Sequence, residues 1–177
     1  TLSSVDDGKR GIGAARRWIR DTLQKCADDA GTRLKVEFDE FVQSPTLRVP
    51  QPATLVNVVA TLEGVDPQAK ARTLVVSGHY DSMCSNVMNA ECDAPGANDD
   101  ASGTAVVMEL ACMMGKRRFP ATLVFMAVAG EEQGLLGAAH WARRASERNL
   151  NIEAMITNDI VGNAHDESGR RDASYVR

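Results

Sequence analysis

Two patterns of hydrophobic positions divide the chain. In the N-terminal part, apolar residues recur at helical spacing over residues 12–26 and alternate with polar residues over 34–41. After a proline-containing break, a further strand is predicted over 54–62. The pattern therefore predicts one amphipathic helix followed by two half-buried strands, which we expect to pair antiparallel at the edge of a sheet.

The rest of the chain alternates short, continuous apolar runs with helical segments. The runs, at 73–77, 123–128 and 153–157, predict buried strands, and helices are predicted over 102–114 and 135–147. Strands that alternate with helices are typical of parallel sheets covered on both faces. The order predicts a single α/β domain over residues 1–177, a three-layer sandwich around a mixed, mostly parallel sheet. Residues 1–10 are polar, and we expect them to be poorly ordered.

Composition and charge narrow the possible functions. The 177 residues are 44% hydrophobic and carry a net charge of −4, with basic residues scattered in short clusters. Such clusters are typical of solvated helix faces, so we do not expect nucleic-acid binding. No apolar run approaches the ~20 residues of a membrane span, and none is predicted.

The four cysteines suggest two different environments. Cys84 and Cys92 are eight residues apart in a predicted loop, where a disulfide would stiffen the loop without disturbing the core. A bridge there would indicate an oxidising compartment, and free thiols are the alternative. Cys26 and Cys112 fall in predicted helices and are expected to be small buried residues.

Polar side chains follow each of the three apolar runs. They are His79 and Asp81 after the first, Glu131 and Glu132 after the second, and Asp159 after the third, with Asp99 preceding the helix at 102. Sites in open α/β sheets form at the carboxyl ends of the strands, so we expect these groups to meet at one rim.

Each of these residues also has a purely structural explanation. Asp99 or Asp100 could cap the following helix, and Glu131 and Glu132 could stabilise the next helix through its dipole. A lone His79 would more often be a hydrogen-bonded structural histidine. The coincidence of all of them at successive strand ends favours a metal site instead.

The residue types suit zinc chemistry. Zinc binds imidazole nitrogen and carboxylate oxygen at about 2.0–2.2 Å, and a paired site with ions about 3.5–4 Å apart needs a bridging carboxylate. Of two adjacent acids such as Glu131 and Glu132, one can bind metal while the other accepts a proton. Asp81, two residues after His79 on extended chain, lies on the same side and can orient the imidazole.

Four segments together resemble a known family. They are SGHYDS, APGANDDASG, AGEEQGLLG and TNDIVGN, within about residues 53–163, and they resemble the co-catalytic di-zinc exopeptidases that include bacterial secreted aminopeptidases. The resemblance implies a cis peptide between Asp99 and Asp100. It also implies that one zinc is bound by His79 and Asp159, the other by Glu132, and both by Asp99, with Glu131 as general base and Asp81 as the partner of His79.

The resemblance implies an aminopeptidase with two Zn²⁺ per intact domain, acting on peptides with a free N-terminus in a secreted or periplasmic location. The preference for zinc over manganese or cobalt comes from the family alone. Carboxypeptidase-type and glutaminyl-cyclase-type enzymes, and non-catalytic binding domains on the same fold, are alternatives. The oligomeric state stays open.

One departure from the family pattern concerns the last metal ligand. The family supplies a further histidine, to the zinc held by Glu132, from a loop far downstream of the position of Asp159. Neither His165, six residues past Asp159, nor His140, in a predicted helix, matches that position. We therefore expect a truncated domain with one well-formed zinc site and low activity.

Overall fold

The helices and strands of the computed structural model, which describes residues 10–29, 33–89 and 91–162, follow the predicted order. The elements are α1 (Gly11–Asp29), β1 (Leu34–Gln43), β2 (Ala53–Leu62), β3 (Arg72–His79), α2 (Ala101–Gly115), β4 (Thr122–Val128), α3 (Leu136–Glu147) and β5 (Asn151–Thr157). Every predicted element is present, most of them slightly longer than the hydrophobic pattern indicated. The expectation of poor order for residues 1–10 concerns a segment that, apart from Arg10, lies outside the described residues.

The five strands form one mixed sheet in the order β1-β2-β4-β3-β5. Strand β3 is parallel to both β4 and β5, whereas β2 is antiparallel to both β1 and β4. The predicted antiparallel pair of β1 and β2 at the edge of the sheet is confirmed. Strand β1 is the edge strand, and β2 lies between β1 and β4, as suits a strand whose central positions are buried.

Helices cover both faces of the sheet, as predicted. On one face α1 and α2 pack against β2 and β4 around Leu23, Val107 and Phe125. On the other face, Trp141 of α3 packs against a cluster that contains Met126. The result is a three-layer sandwich, and apolar burial on both faces of β4 anchors the centre of the sheet.

The exposure of β5 differs from the prediction of a buried strand. All seven of its residues are exposed in the described part of the chain, including Met155 at 48% and Ile156 at 60%. The helices of the described residues pack mainly over β1 to β4, so neither face of β5 is covered by them. An apolar run predicts a strand, but it does not show what covers that strand.

Two disulfides are present, one of them unexpected. Cys84 and Cys92 form the predicted bridge within their loop. Cys26 and Cys112, predicted as separate buried thiols, are also joined, because α1 and α2 lie side by side and bring the two Cα atoms to 5.3 Å. Two disulfides are typical of proteins that fold in oxidising compartments, such as secreted proteins. No helix among the described residues is long and apolar enough to cross a membrane.

Candidate metal centre

The predicted site residues converge at the carboxyl ends of the parallel strands. His79 is the last residue of β3, and its Nε2 lies 3.1 Å from Oδ1 of Asp99, just before α2. The same nitrogen lies 3.9 Å from Oε2 of Glu131, which follows β4, and 3.9 Å from Oδ1 of Asp159, which follows β5. Glu132 belongs to the same centre, since one oxygen from it, one from Asp99 and a ring nitrogen of His79 all lie within 4.8 Å of one another.

The buried imidazole of His79 is oriented by the main chain. Its Nδ1 lies 3.0 Å from the backbone oxygen of Asp81, while the Asp81 carboxylate is 3.8 Å away. The carbonyl oxygen can only accept, so Nδ1 donates, and Nε2 is the ring atom that can bind a cation shared with the surrounding carboxylates. Asp81 therefore orients His79 through its backbone rather than through its side chain, which differs from the prediction.

The carboxylate of Asp81 holds the loop that carries the two glutamates. It is buried and accepts hydrogen bonds from the backbone N–H groups of Glu131 and Glu132, both at 3.2 Å. This pair of bonds joins the end of β3 to the end of β4. Asp81 thus links the imidazole, through its backbone oxygen, to the loop of both glutamates, through its carboxylate.

Asp100 connects three segments of the centre. Its buried carboxylate caps α2 by accepting from the N–H of Gly103 at 2.9 Å. It also accepts from the N–H of His79 at 3.0 Å and from the N–H of Ile160, next to Asp159, at 3.3 Å. The peptide bond between Asp99 and Asp100 is cis, as the resemblance implied. Both sequence interpretations therefore apply, one to each residue: Asp100 caps the helix and Asp99 faces His79.

The close packing around Asp100 leaves no room for a side chain at position 103. A Cβ on Gly103 would lie 2.4 Å from the backbone oxygen of Asn158 and 2.5 Å from Oδ1 of Asp100. The glycine that ends the segment APGANDDASG thus permits α2 to begin directly against the loop that follows β5.

Negative charge accumulates at this rim. Burial raises the pKa of Glu131, and the carboxylates of Asp81, Asp159 and Asp99 raise it further against the opposing effect of His79. Burial likewise raises the pKa of Glu132, followed by the charge of Asp99. Burial lowers the pKa of His79, but the surrounding carboxylates, first that of Asp81, outweigh it, and the net shift is upward. Such an arrangement favours a bound cation.

The donor set and its spacing fit zinc. One imidazole nitrogen and several carboxylate oxygens are typical zinc ligands, and two ligands at about 2.0–2.2 Å from one ion lie up to about 4.4 Å apart. The separations of 3.1 and 3.9 Å measured from His79 Nε2 fall in that range. Among the described residues, His140 joins neither possible ligand group. Its ring stacks on Phe41 at 3.9 Å and lies beside Asp39. His165 lies outside the described residues.

Comparison with known proteins agrees with this chemistry. The model of Peptidase family M28 matches residues 57–171, more than half of the chain and all of the centre. The chain belongs to peptidase family M28. A probable zinc metalloprotease from Pyricularia oryzae is 49% identical over 178 residues, which cover 100% of this chain and 35% of that protein.

Solved structures of two kinds share the fold of this M28 chain. An aminopeptidase from Aneurinibacillus sp. strain AM-1 matches with a TM-score of 0.55 and 32% identity, over 66% of this chain and 27% of that one. A glutaminyl cyclase from an Acidobacteriales bacterium matches with a TM-score of 0.68 and 20% identity, over 86% of this chain and 52% of that one, which shows the fold alone. The chain spans 35–41% of the length of the first two curated relatives it matches.

Proposed function

We propose that this protein is a zinc-dependent aminopeptidase that hydrolyses the N-terminal peptide bond of its substrate. The observation that carries the proposal is the set of carboxylates from Asp99, Glu131 and Asp159 within 4 Å of one buried imidazole nitrogen. Membership of peptidase family M28 supports peptide hydrolysis, and the probable zinc metalloproteases among the relatives support zinc.

Four residues would hold the metal. They are His79 and Asp159 for one ion, Glu132 for the other, and Asp99 between the two. Bound zinc would polarise the scissile carbonyl and make a water molecule acidic near neutral pH. The intact domain is proposed to bind two ions.

Glu131 is proposed as the general base. Its carboxylate lies 3.9 Å from Nε2 of His79, so it borders the centre, and its backbone N–H is held by Asp81. It takes a proton from the attacking water and passes it to the leaving amine. Its raised pKa, caused first by burial, makes it a stronger proton acceptor than an exposed glutamate.

The substrate is proposed to be a peptide with a free α-amino group. The side chains of Asp99 and Asp159 are about half exposed, with relative accessibilities of 51% and 50%, and so face the side from which a substrate enters. A free α-amine can sit beside the metals and the acidic rim, whereas an acylated amine lacks both the charge and the available lone pair for such contacts. This preference would restrict cleavage to the N-terminus.

The substitution Glu131→Gln tests the proposal. We expect a loss of turnover of about 10²–10⁴-fold, because the amide cannot accept the proton, with the zinc content unchanged. Glu147→Gln, at the exposed end of α3, is the matched control and should retain full activity. Retained turnover in Glu131→Gln would rule out this base, and a parent protein without zinc-dependent hydrolysis of free-amine peptides would overturn the proposed function.

Glutaminyl cyclisation is a second candidate, supported by the fold match to the Acidobacteriales glutaminyl cyclase. A peptide that begins with glutamine separates the two, since cyclisation releases ammonia and hydrolysis releases free glutamine. An N-blocked peptide tests carboxypeptidase action in the same assay. Failure of every reaction, with zinc bound, would favour a non-catalytic binding domain.

The two disulfides support the further proposal of a secreted or periplasmic location. Detection of the protein in the culture medium or periplasm, with both bridges intact, would test it.

A further inference from the structure

A single buried amide interrupts the apolar strand β2. Asn57 is 0% exposed, yet its side chain forms three hydrogen bonds. Its Oδ1 accepts from the N–H of Ala129 at 3.1 Å, and its Nδ2 donates to the backbone oxygen of Gly137 at 3.0 Å and to Oδ2 of Asp39 at 3.1 Å. A buried amide costs free energy unless it is paired, so this network calls for an explanation beyond packing.

The two backbone groups bound by Asn57 belong to Ala129 and Gly137, which lie at the two ends of the loop that carries Glu131 and Glu132. Ala129 begins the loop after β4, and Gly137 ends it in the first turn of α3. The ends are also joined directly, since the N–H of Gly137 donates to the oxygen of Ala129 at 2.8 Å. Asn57 therefore closes the base of the loop from the adjacent strand.

Asp39 on β1 sets the orientation of the Asn57 amide. Its carboxylate can only accept, so it selects the rotamer in which Nδ2 faces Asp39 and Oδ1 faces Ala129. The other carboxylate oxygen of Asp39 accepts from Arg144 of α3. The amide is thus held from one side by β1 and α3 while it binds the loop on the other.

The part of the same loop that carries the two glutamates is bound at the metal centre. Asp81 accepts from the N–H groups of Glu131 and Glu132, at the turn of the loop. Asp81 binds the loop at the two glutamates, and these two bonds do not reach the base of the loop at Ala129 and Gly137. Asn57 supplies that second attachment, from a strand that contributes none of the predicted ligands.

We propose that Asn57, oriented by Asp39, is a positioning residue that holds Glu131 and Glu132 at the distance from His79 that zinc binding and proton transfer require. The inference rests on the proposed function in so far as Glu132 is taken as a zinc ligand. It assigns a role in the site to a residue that touches neither metal nor substrate.

The test compares Asn57→Ala with Val59→Ala in the intact, zinc-loaded protein. Val59 is buried on the same strand and packs in the cluster beneath α3, but it is apolar and makes no side-chain hydrogen bond to the loop. For Asn57→Ala we expect zinc affinity and kcat to fall about 10–100-fold, the usual effect of removing a group that supports a metal ligand. Amide hydrogen exchange over residues 130–136 should accelerate, while KM changes little.

Val59→Ala should lower the resistance to urea but leave zinc affinity and exchange of the loop as in the parent. A purely structural role for Asn57 predicts the same pattern in Asn57→Ala, and that result would overturn the proposal. If Asn57→Ala does not fold, Asn57→Ser serves, since its shorter hydroxyl can bind only one end of the loop. Asn57→Ser should also lower zinc affinity and accelerate hydrogen exchange over residues 130–136. Parent-like values of both would again overturn the proposal.

These readouts separate the inference from the proposed function. Zinc affinity and hydrogen exchange do not depend on turnover. A parent protein that binds zinc without cleaving peptides would contradict the proposed function and still leave the role of Asn57 to be decided by the two variants.

Discussion

The backbone N–H of His79 donates to the carboxylate of Asp100 at 3.0 Å, so the residue next to the predicted bridging ligand also supports the imidazole ligand. Because Asp100 also accepts from Gly103 and Ile160, one buried side chain joins β3, α2 and the loop after β5. The geometry of the centre thus depends on a buried carboxylate whose oxygens accept from three backbone N–H groups.

Replacing Asp100 should therefore weaken both the fold and the centre. Asp100→Ala leaves three backbone N–H groups without their acceptor. The two in buried bonds, those of His79 and Gly103, cost about 1–3 kcal/mol each. We expect a lower free energy of unfolding in urea and a zinc affinity reduced about 10–100-fold. Asp100→Asn retains one acceptor oxygen, so its free energy of unfolding and its zinc affinity should lie between those of Asp100→Ala and the parent.

The control for this prediction is Asp66→Ala. Asp66 accepts from the N–H of Gln68 in an exposed turn, away from the centre. Asp66→Ala should lower the free energy of unfolding only slightly and should leave zinc affinity unchanged. Equal zinc affinities in Asp100→Ala and the parent would show that the carboxylate supports the fold alone.

The metal content of the 177-residue chain provides the next prediction. Asp159 and Asp99 both face His79, whereas the last histidine that the resemblance implies for the Glu132 ion is not matched by His140. We expect about one tightly bound zinc per chain, since fewer than three protein ligands hold zinc weakly. Metal analysis after dialysis should show that Asp159→Ala loses more of this zinc than Glu132→Ala. Two tight zinc ions per chain would mean that another residue completes the second site.

Much of the candidate centre could be predicted from the sequence because its polar side chains follow strand ends. Parallel strands end at the same rim, so His79, Glu131 and Asp159 are neighbours once three apolar runs are recognised as parallel strands. Asp99 reaches the same rim because it directly precedes Asp100, the residue that caps α2. The strand order alone is enough to bring these residues to one rim of the sheet.

The interactions that were not predicted join segments far apart in the chain. Cys26 and Cys112 pair because two helices share one face of the sheet, which neither helix encodes locally. Asn57 bonds residues 72 and 80 positions away, and the signal for it is a lone amide in an apolar run. Exposure of β5 could not be predicted either, since an apolar strand has the same sequence pattern whether it is covered or not.

Gly137→Ala should displace the loop that carries the two glutamates. A Cβ at this position would lie 2.2 Å from Oδ1 of Asn57 and 2.6 Å from the oxygen of Ala129, so the base of the loop must open. We expect a stability loss of about 1–3 kcal/mol together with weaker zinc binding, measured by urea unfolding and zinc titration. Ala142→Ser adds one atom to the exposed side of the same helix and should leave zinc binding unchanged. Unaltered zinc binding in Gly137→Ala would show that the loop tolerates a shift at its base.

Removal of the Cys26–Cys112 bridge should destabilise the chain more than removal of the Cys84–Cys92 bridge. The first closes 86 residues between α1 and α2, and the second closes 8 residues within one loop. A longer closed loop restricts the unfolded chain more, so we expect Cys26→Ala/Cys112→Ala to lose about 2–4 kcal/mol in urea unfolding and Cys84→Ala/Cys92→Ala to lose less. The parent should show no reactive thiols in denaturant before reduction, because the described residues contain no free cysteine. Two reactive thiols before reduction, located by peptide mapping at Cys26 and Cys112, would contradict the bridge between α1 and α2.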